Sequence, residues 1–252
     1  MNLNVIIFQK TTDPAYKDKV AAYNYASPPV TPVVIPPSST ESDPTLLAPK
    51  LDTSKYNLVI YDWSLTLKND TLSDLISDTI ALNSTPDEIF NVAYLGKYSD
   101  TCAKYTTLYN TGFGPFTIVG GTDPVGFNAL LLTPSFSQKL KDKIETSSKT
   151  YGSINYVIQE IGIDENVKYI SFSPNLFVYD PLYNAVDDNV TFYAKTQECV
   201  SFNSQVTPPN DNALTIFWIL LIIIGVCIIL WLMLSSRGFG LGKMDVARSG
   251  ED

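Results

Sequence analysis

Apolar positions along this chain follow two rhythms in turn. Asn4–Phe8 and Asn57–Tyr61 are short, near-continuous apolar runs, the pattern of strands covered on both faces. Between them, Pro14–Ala26 reads as a helix, with Asp13 as its N-cap and Pro14 at the first helical position. Thr71–Leu82 sets Leu72, Leu75, Ile76, Thr79 and Ile80 at helical spacing. Phe90–Leu95, Ile118–Val119 and Phe127–Thr133 return to strand-like runs. Ser135–Thr146 and Tyr151–Ile161 are helical in pattern, and Tyr169–Phe172 and Phe177–Val178 are strand-like again. Strands alternating with helices predict an α/β domain with a mostly parallel sheet, over residues 1–186. No internal repeat is visible.

Two stretches break the rhythm. Seven of the 23 residues from Ser27 to Pro49 are proline. This segment is expected to be extended, with an edge strand at Val30–Ile35 and a loop after it. It suits a flexible linker or an arm laid on a partner. The second is Ala213–Leu234, "ALTIFWILLIIIGVCIILWLML", which is 22 residues without a charge. As a helix it would reach about 33 Å, enough for a bilayer core of about 30 Å. Trp218 and Trp231 stand near its ends, where amphipathic rings favour the interface, and Arg237 follows it. A polar stalk, 187–212, leads into this predicted span, and a short tail, 235–252, follows.

"MNLNVIIFQK" has no basic leader region and reads as a first strand rather than a signal peptide. One span near the C-terminus then predicts a tail-anchored protein with its N-terminal domain on the cytosolic side. The basic residues near the span point weakly the other way: Arg237, Lys243 and Arg248 follow it and Lys195 precedes it. Three sequons, at Asn69, Asn83 and Asn189, matter only for a lumenal domain. The three cysteines, Cys102, Cys199 and Cys227, form no dense framework, and a Cys102–Cys199 bridge stays open.

Charge narrows the partners. The chain carries a net −9, and residues 1–212 hold 14 lysines, 23 acids and no arginine, which is again −9. Phosphate backbones are gripped by clustered Arg and Lys, so nucleic acid is not an expected partner. The five glycines of "TGFGPFTIVGGTDPVG" run into a strand and read as turns rather than a phosphate cradle. Trp63, Tyr94, Tyr98, Tyr105 and Tyr109 suit either packing or a sugar-binding platform.

Four blocks then appear in order: "YNLVIYDWSLTLKNDTLSDLI", "FNVAYLGKYSDTCAKYT", "PVGFNALLLTPSFSQKLKDKI" and "SINYVIQEIGIDENVKYISFSPNLFVYDP". Together, over roughly Tyr56 to Pro181, they resemble the lipopolysaccharide and procollagen-type glycosyltransferases. The likeness is nearest to relatives encoded by large DNA viruses. It implies a reduced glycosyltransferase-A-like fold. It also implies an acidic triplet at a strand end, where Mg²⁺ or Mn²⁺ would neutralise the diphosphate of a nucleotide-sugar donor. A hard cation needs several oxygen ligands. In this sequence the triplet's place is taken by Tyr61, Asp62 and Trp63, and only Asp62 is a carboxylate.

The nearest further acid is Asp70, and Asp123 is more distant; the chain has no histidine. Asp62 and Asp70 are thus the candidate metal ligands and Asp62 the candidate catalytic group, with no cofactor expected unless a nucleotide-sugar donor binds. The expectation is a membrane-anchored, catalytically degenerate structural module. In that reading it is a minor capsid or virion membrane protein joining capsid subunits to an inner bilayer. The alternative is an active membrane-bound glycosyltransferase using Asp62 with Asp70 or Asp123.

Overall fold

A computed structural model describes residues 2–38, 40–66, 69–84, 88–100, 106–120 and 124–180. The chain divides into two units, Met1–Phe202 and Asn203–Asp252, and the described residues all belong to the first. Among them, no helix is long and apolar enough to cross a membrane. The predicted span 213–234, its stalk and tail, and Trp218, Trp231 and Arg237 lie outside the described residues.

Among the described residues there are ten strands: β1 Leu3–Phe8, β2 Val33–Ile35, β3 Tyr56–Tyr61, β4 Ser64–Thr66, β5 Val92–Ser99, β6 Thr106–Asn110, β7 Thr117–Gly120, β8 Val125–Leu132, β9 Tyr169–Ser173 and β10 Phe177–Tyr179. The α-helices are α1 Pro14–Ala21, α2 Asp43–Leu47, α3 Leu72–Ala81, α4 Pro134–Thr146 and α5 Ile154–Asp164. Eight strands form one sheet in the order β2-β1-β3-β8-β5-β9-β7-β6, and β10 pairs with β4 in a second, two-stranded sheet. Parallel pairing joins β2, β1 and β3, and joins β5 to β9. Strand β8 runs antiparallel to both β3 and β5, and β7 antiparallel to both β9 and β6. Six of the eight strands therefore point one way, so the sheet is mostly parallel as expected.

Each face of the sheet buries its own apolar cluster. Alternation along β1 sends Ile6 and Phe8 to one side and Val5 and Ile7 to the other. The first side is covered by Leu46 and Leu47 of α2, Phe136 and Leu140 of α4, and Ile154, Val157, Ile158 and Ile161 of α5. The second takes Val20 of α1 and Leu72, Leu75 and Ile76 of α3. Because both faces are covered, the central strands are largely apolar, with Asn57 and Asn128 buried among them.

Caps set the helix starts. Asp13 accepts from the Ala15 N–H at 2.9 Å, Thr133 from the Phe136 N–H and Ser153 from the Tyr156 N–H, each at 3.2 Å. The Ser153 cap starts α5 at Ile154, three residues after the expected Tyr151. Helix α1 stops at Ala21 rather than Ala26, because Tyr25 folds back, buried, with its hydroxyl donating to the Val20 carbonyl at 2.6 Å. The Pro-rich stretch is partly committed within the fold. Val33–Ile35 pairs with β1 as the edge strand β2, and Val30 and Val34 pack on the second cluster.

Candidate functional site

In open α/β sheets, ligands gather beyond the carboxyl ends of the strands. Here that edge carries Phe8, Tyr61 and Asp62, with β1 and β3 in register so that Phe8 pairs with Tyr61. The Asp62 N–H donates to the Phe8 carbonyl at 2.9 Å. Its Oδ2 accepts from the backbone N–H of Lys10 at 3.0 Å and of Thr11 at 3.3 Å. Asp62 is only 1% exposed. Its carboxylate thus pins the loop between β1 and α1.

The residues on either side of Asp62 turn the other way and stack. The Tyr61 and Trp63 ring centroids are 4.4 Å apart, and Phe127 lies 5.0 Å from Tyr61 on the neighbouring strand. The Trp63 indole N–H donates to Asn128 Oδ1 at 3.2 Å, and Tyr179 packs against its ring at 6.1 Å. Short helix α2 closes over this group. The Tyr61 hydroxyl donates to Asp43 Oδ2 at 3.0 Å, and Lys10 forms an ion pair with the same carboxylate. The Lys10 ammonium lies 5.6 Å from the Phe8 ring centre and 5.5 Å from that of Tyr61, a cation–π arrangement. Burial, and then the Asp43 charge, push the Tyr61 phenol well above its ordinary range.

Further along the same edge, Lys97 and Asp100 form a buried ion pair at 3.1 Å. Burial pulls the Lys97 ammonium below its ordinary value, against the opposing pull of Asp100. The β5–β8 ladder shifts register between Tyr94 and Gly96 and between Gly96 and Lys97. Asn175 spans the Lys97 backbone, accepting from its N–H at 3.2 Å and donating to its carbonyl at 2.8 Å.

These facts decide where the sequence candidates stand. Asp62 is at the expected strand end, and its carboxylate serves the backbone. Asp70 is exposed in the turn before α3. Asp123, Tyr105, Cys102, Cys199 and Asn189 lie outside the described residues. Among the described residues, no three His, Cys, Asp or Glu side chains come together to hold a metal ion. The described residues bring one buried carboxylate to this strand end, holding two amides and flanked by stacked rings, whereas a hard divalent cation wants several oxygen ligands. Trp63 and Tyr94 are core residues, and Tyr98 packs on the same cluster. Tyr109 packs on the cluster of the other face, so these rings do not share one platform.

Asn69 accepts from the Asn24 N–H at 2.9 Å and is exposed. Asn83 is engaged by backbone through both side-chain atoms: it donates to the Phe90 carbonyl and accepts from Ile89 and Phe90. Gly112 and Gly114 take positive φ in the turn between β6 and β7, as turn glycines do. The pairings Lys10–Asp43 and Lys97–Asp100 gave no periodic signal. For Lys97 the only pointer was its place in the "YLGK" block.

No protein-family model and no curated protein matches the chain. Solved structures similar to it include 4-diphosphocytidyl-2C-methyl-D-erythritol synthase from Anaerococcus prevotii, at 11% identity and TM-score 0.37, with 77% of this chain and 78% of that chain covered. The inositol-1-phosphate CTP transferase from T. maritima is similar at 13% identity and TM-score 0.34, covering 78% and 77%. CTP:phosphocholine cytidylyltransferase from Streptococcus pneumoniae follows at 10% identity and TM-score 0.36, covering 77% and 98%. Two of the three are named as transferases that use CTP, and a likeness of this degree identifies no family for this chain.

Proposed function

We propose that this chain is a membrane-anchored structural module built on a glycosyltransferase-like scaffold. Its domain joins a bilayer to a protein layer, in the manner of a minor capsid protein of a large DNA virus, and lies on the cytosolic, capsid-facing side. The observation that carries the non-catalytic part is the engagement of Asp62. The one carboxylate at the strand end pins the Lys10 and Thr11 amides, while Tyr61 and Trp63 stack where further acids would be needed. The absence of arginine from residues 1–212 supports the same reading, since a donor diphosphate would want a cationic clamp. Membrane attachment rests on the apolar run Ala213–Leu234, and the capsid-side role on the resemblance to viral relatives.

Two measurements on the full chain test the proposal. In detergent micelles, a UDP-sugar titrated with Mn²⁺ is expected to give no saturable heat up to about 1 mM. Mn²⁺-dependent binding that Asp62→Ala abolishes in a still-folded protein overturns the structural reading in favour of a transferase. In microsomes, the domain is expected to be protease-accessible and unglycosylated at Asn69. Protection together with a glycan at Asn69 places the domain in the lumen and removes the capsid-side role.

A further inference from the structure

The eight-stranded sheet ends in two edges, β2 and β6, and they are built differently. Strand β2 is three residues long, with Pro32 directly before it and Pro36 and Pro37 directly after. Proline has no N–H to donate and is a common guard of a sheet edge. Strand β6, Thr106–Asn110, is five residues long and holds neither proline nor charge. Thr106, Thr107, Leu108 and Asn110 are exposed, and Tyr109 is half-buried. Threonine and tyrosine favour strands. The inner side of β6 pairs with β7, and among the described residues no strand pairs with its outer side.

Leu108 marks the middle of this edge. The β6–β7 register shifts between Thr107 and Tyr109, and the Leu108 side chain lies across Gly120, 3.1 Å from where a Cβ would stand. Packed in this way, Leu108 is still 45% exposed. The sequence around it is uncharged for 18 residues, Tyr105–Thr122, in a chain of net charge −9.

A strand edge takes an extended segment as its partner, and these facts select a second copy of β6. Two acidic domains repel across most of their surfaces, whereas here they meet without opposing like charges. Turned antiparallel about a two-fold axis at Leu108, the strand complements itself: Thr106 faces Asn110, Thr107 faces Tyr109 and Leu108 faces Leu108. Thr107 with Tyr109 is a β-branched–aromatic pair, one of the favourable cross-strand combinations. We propose that β6 of one copy pairs antiparallel with β6 of a second, joining two eight-stranded sheets into one. An edge of about 17 Å buries well under the roughly 1,200 Å² of a stable soluble interface, so the pair is weak in dilute solution. Confinement to a bilayer supplies the missing concentration, and on this point alone the inference rests on the proposed membrane anchor.

Cysteine cross-linking of the full chain tests this, in vesicles and, at high protein concentration, in detergent micelles. Wild type gives the background of the native cysteines. Leu108→Cys is expected to form at least about tenfold more disulfide dimer than Ile163→Cys, a position that is more exposed, at 84%. Adding Thr106→Lys and Asn110→Lys to Leu108→Cys sets lysine opposite lysine, and the dimer is expected to fall to background with Tm unchanged. Mixing that protein with its Thr106→Glu, Asn110→Glu counterpart is expected to restore the dimer. Dimer in micelles with no gain in vesicles removes the bilayer's contribution and upholds the pairing. Equal cross-linking at positions 108 and 163, or lysines without effect, overturns the proposal. So does a Leu108→Cys protein that forms no dimer in either medium, because β6 is then covered within its own chain.

Discussion

Trp63 stacks on Tyr61 across the one carboxylate between them, with ring planes inclined by 17°. The two-residue period of an extended chain explains the arrangement. Positions 61 and 63 turn to the face that carries Val59 and Phe127, and position 62 turns to the loop after β1. One strand end thus divides its work between an apolar stack and a backbone pin.

The pin has a measurable strength. Asp62→Ala leaves the Lys10 and Thr11 amides without their acceptor, a loss of about 1–3 kcal/mol for part-buried groups. In a domain of this size each kcal/mol lowers Tm by roughly 2–4 °C. Asp62→Asn keeps an acceptor oxygen and is expected to lose less. Thermal denaturation followed by circular dichroism orders the three proteins. An alanine variant as stable as wild type removes the pin.

Gly96 is fixed by a crossing rather than by a turn. A Cβ there meets the Phe177 carbonyl carbon at 2.9 Å as well as its oxygen, and a backbone cannot swing aside as a side chain can. Gly96→Ala is expected to cost about 1–3 kcal/mol through overpacking. Gly152 has nothing within 4 Å of its Cβ position, so Gly152→Ala should be neutral or stabilising by about 0.4–1 kcal/mol. Urea unfolding of the pair reads the contrast, and equal midpoints contradict the crossing.

The Lys97–Asp100 pair separates two effects. Its side chains are 8% and 0% exposed, so removing one partner strands a buried charge. Lys97→Met or Asp100→Leu alone is expected to cost about 3–5 kcal/mol, while the double substitution should be close to neutral or stabilising. A double-mutant cycle from chemical denaturation gives the coupling. Single and double variants with additive losses would show that the pair is not the unit.

Much of this architecture was legible in the chain because the sheet is covered on both faces. Continuous apolar runs such as Asn57–Tyr61, short and rich in β-branched residues, then mark central strands, and Asp13-Pro14 carries its own start signal. Three elements escaped. Strand β6 is mostly exposed and has no apolar rhythm. Strand β4 is only three residues long, and α2 sits inside a Pro-rich stretch that reads as loop. The reversed direction of β8 was also hidden, since an apolar run says nothing of its sense. At the strand end, the sequence showed that Asp62 stands alone. It did not show what the carboxylate holds, because Lys10 and Thr11 are more than fifty positions away and offer backbone rather than side chains. Lys19–Asp180 was out of reach for the same reason, at a separation of 161.

Lys19 gives the pH dependence of that distant contact. Burial alone would lower its pKa, but the Asp180 hydrogen bond and charge, with Tyr23 and Tyr16 nearby, raise it above its ordinary 10.5. A group whose folded pKa is raised stabilises below its unfolded pKa, and that contribution fades as pH climbs through the folded value. The Tm difference between wild type and Lys19→Met should therefore be constant from neutral pH up to about pH 10 and shrink above it. Tyr23, itself pushed up chiefly by burial, feels the Lys19 charge, so the comparison is made with Tyr23→Phe in both proteins to isolate the lysine. A gap that widens with rising pH would mean that Lys19 is held in its neutral form, and that the Asp180 carboxylate is not its partner.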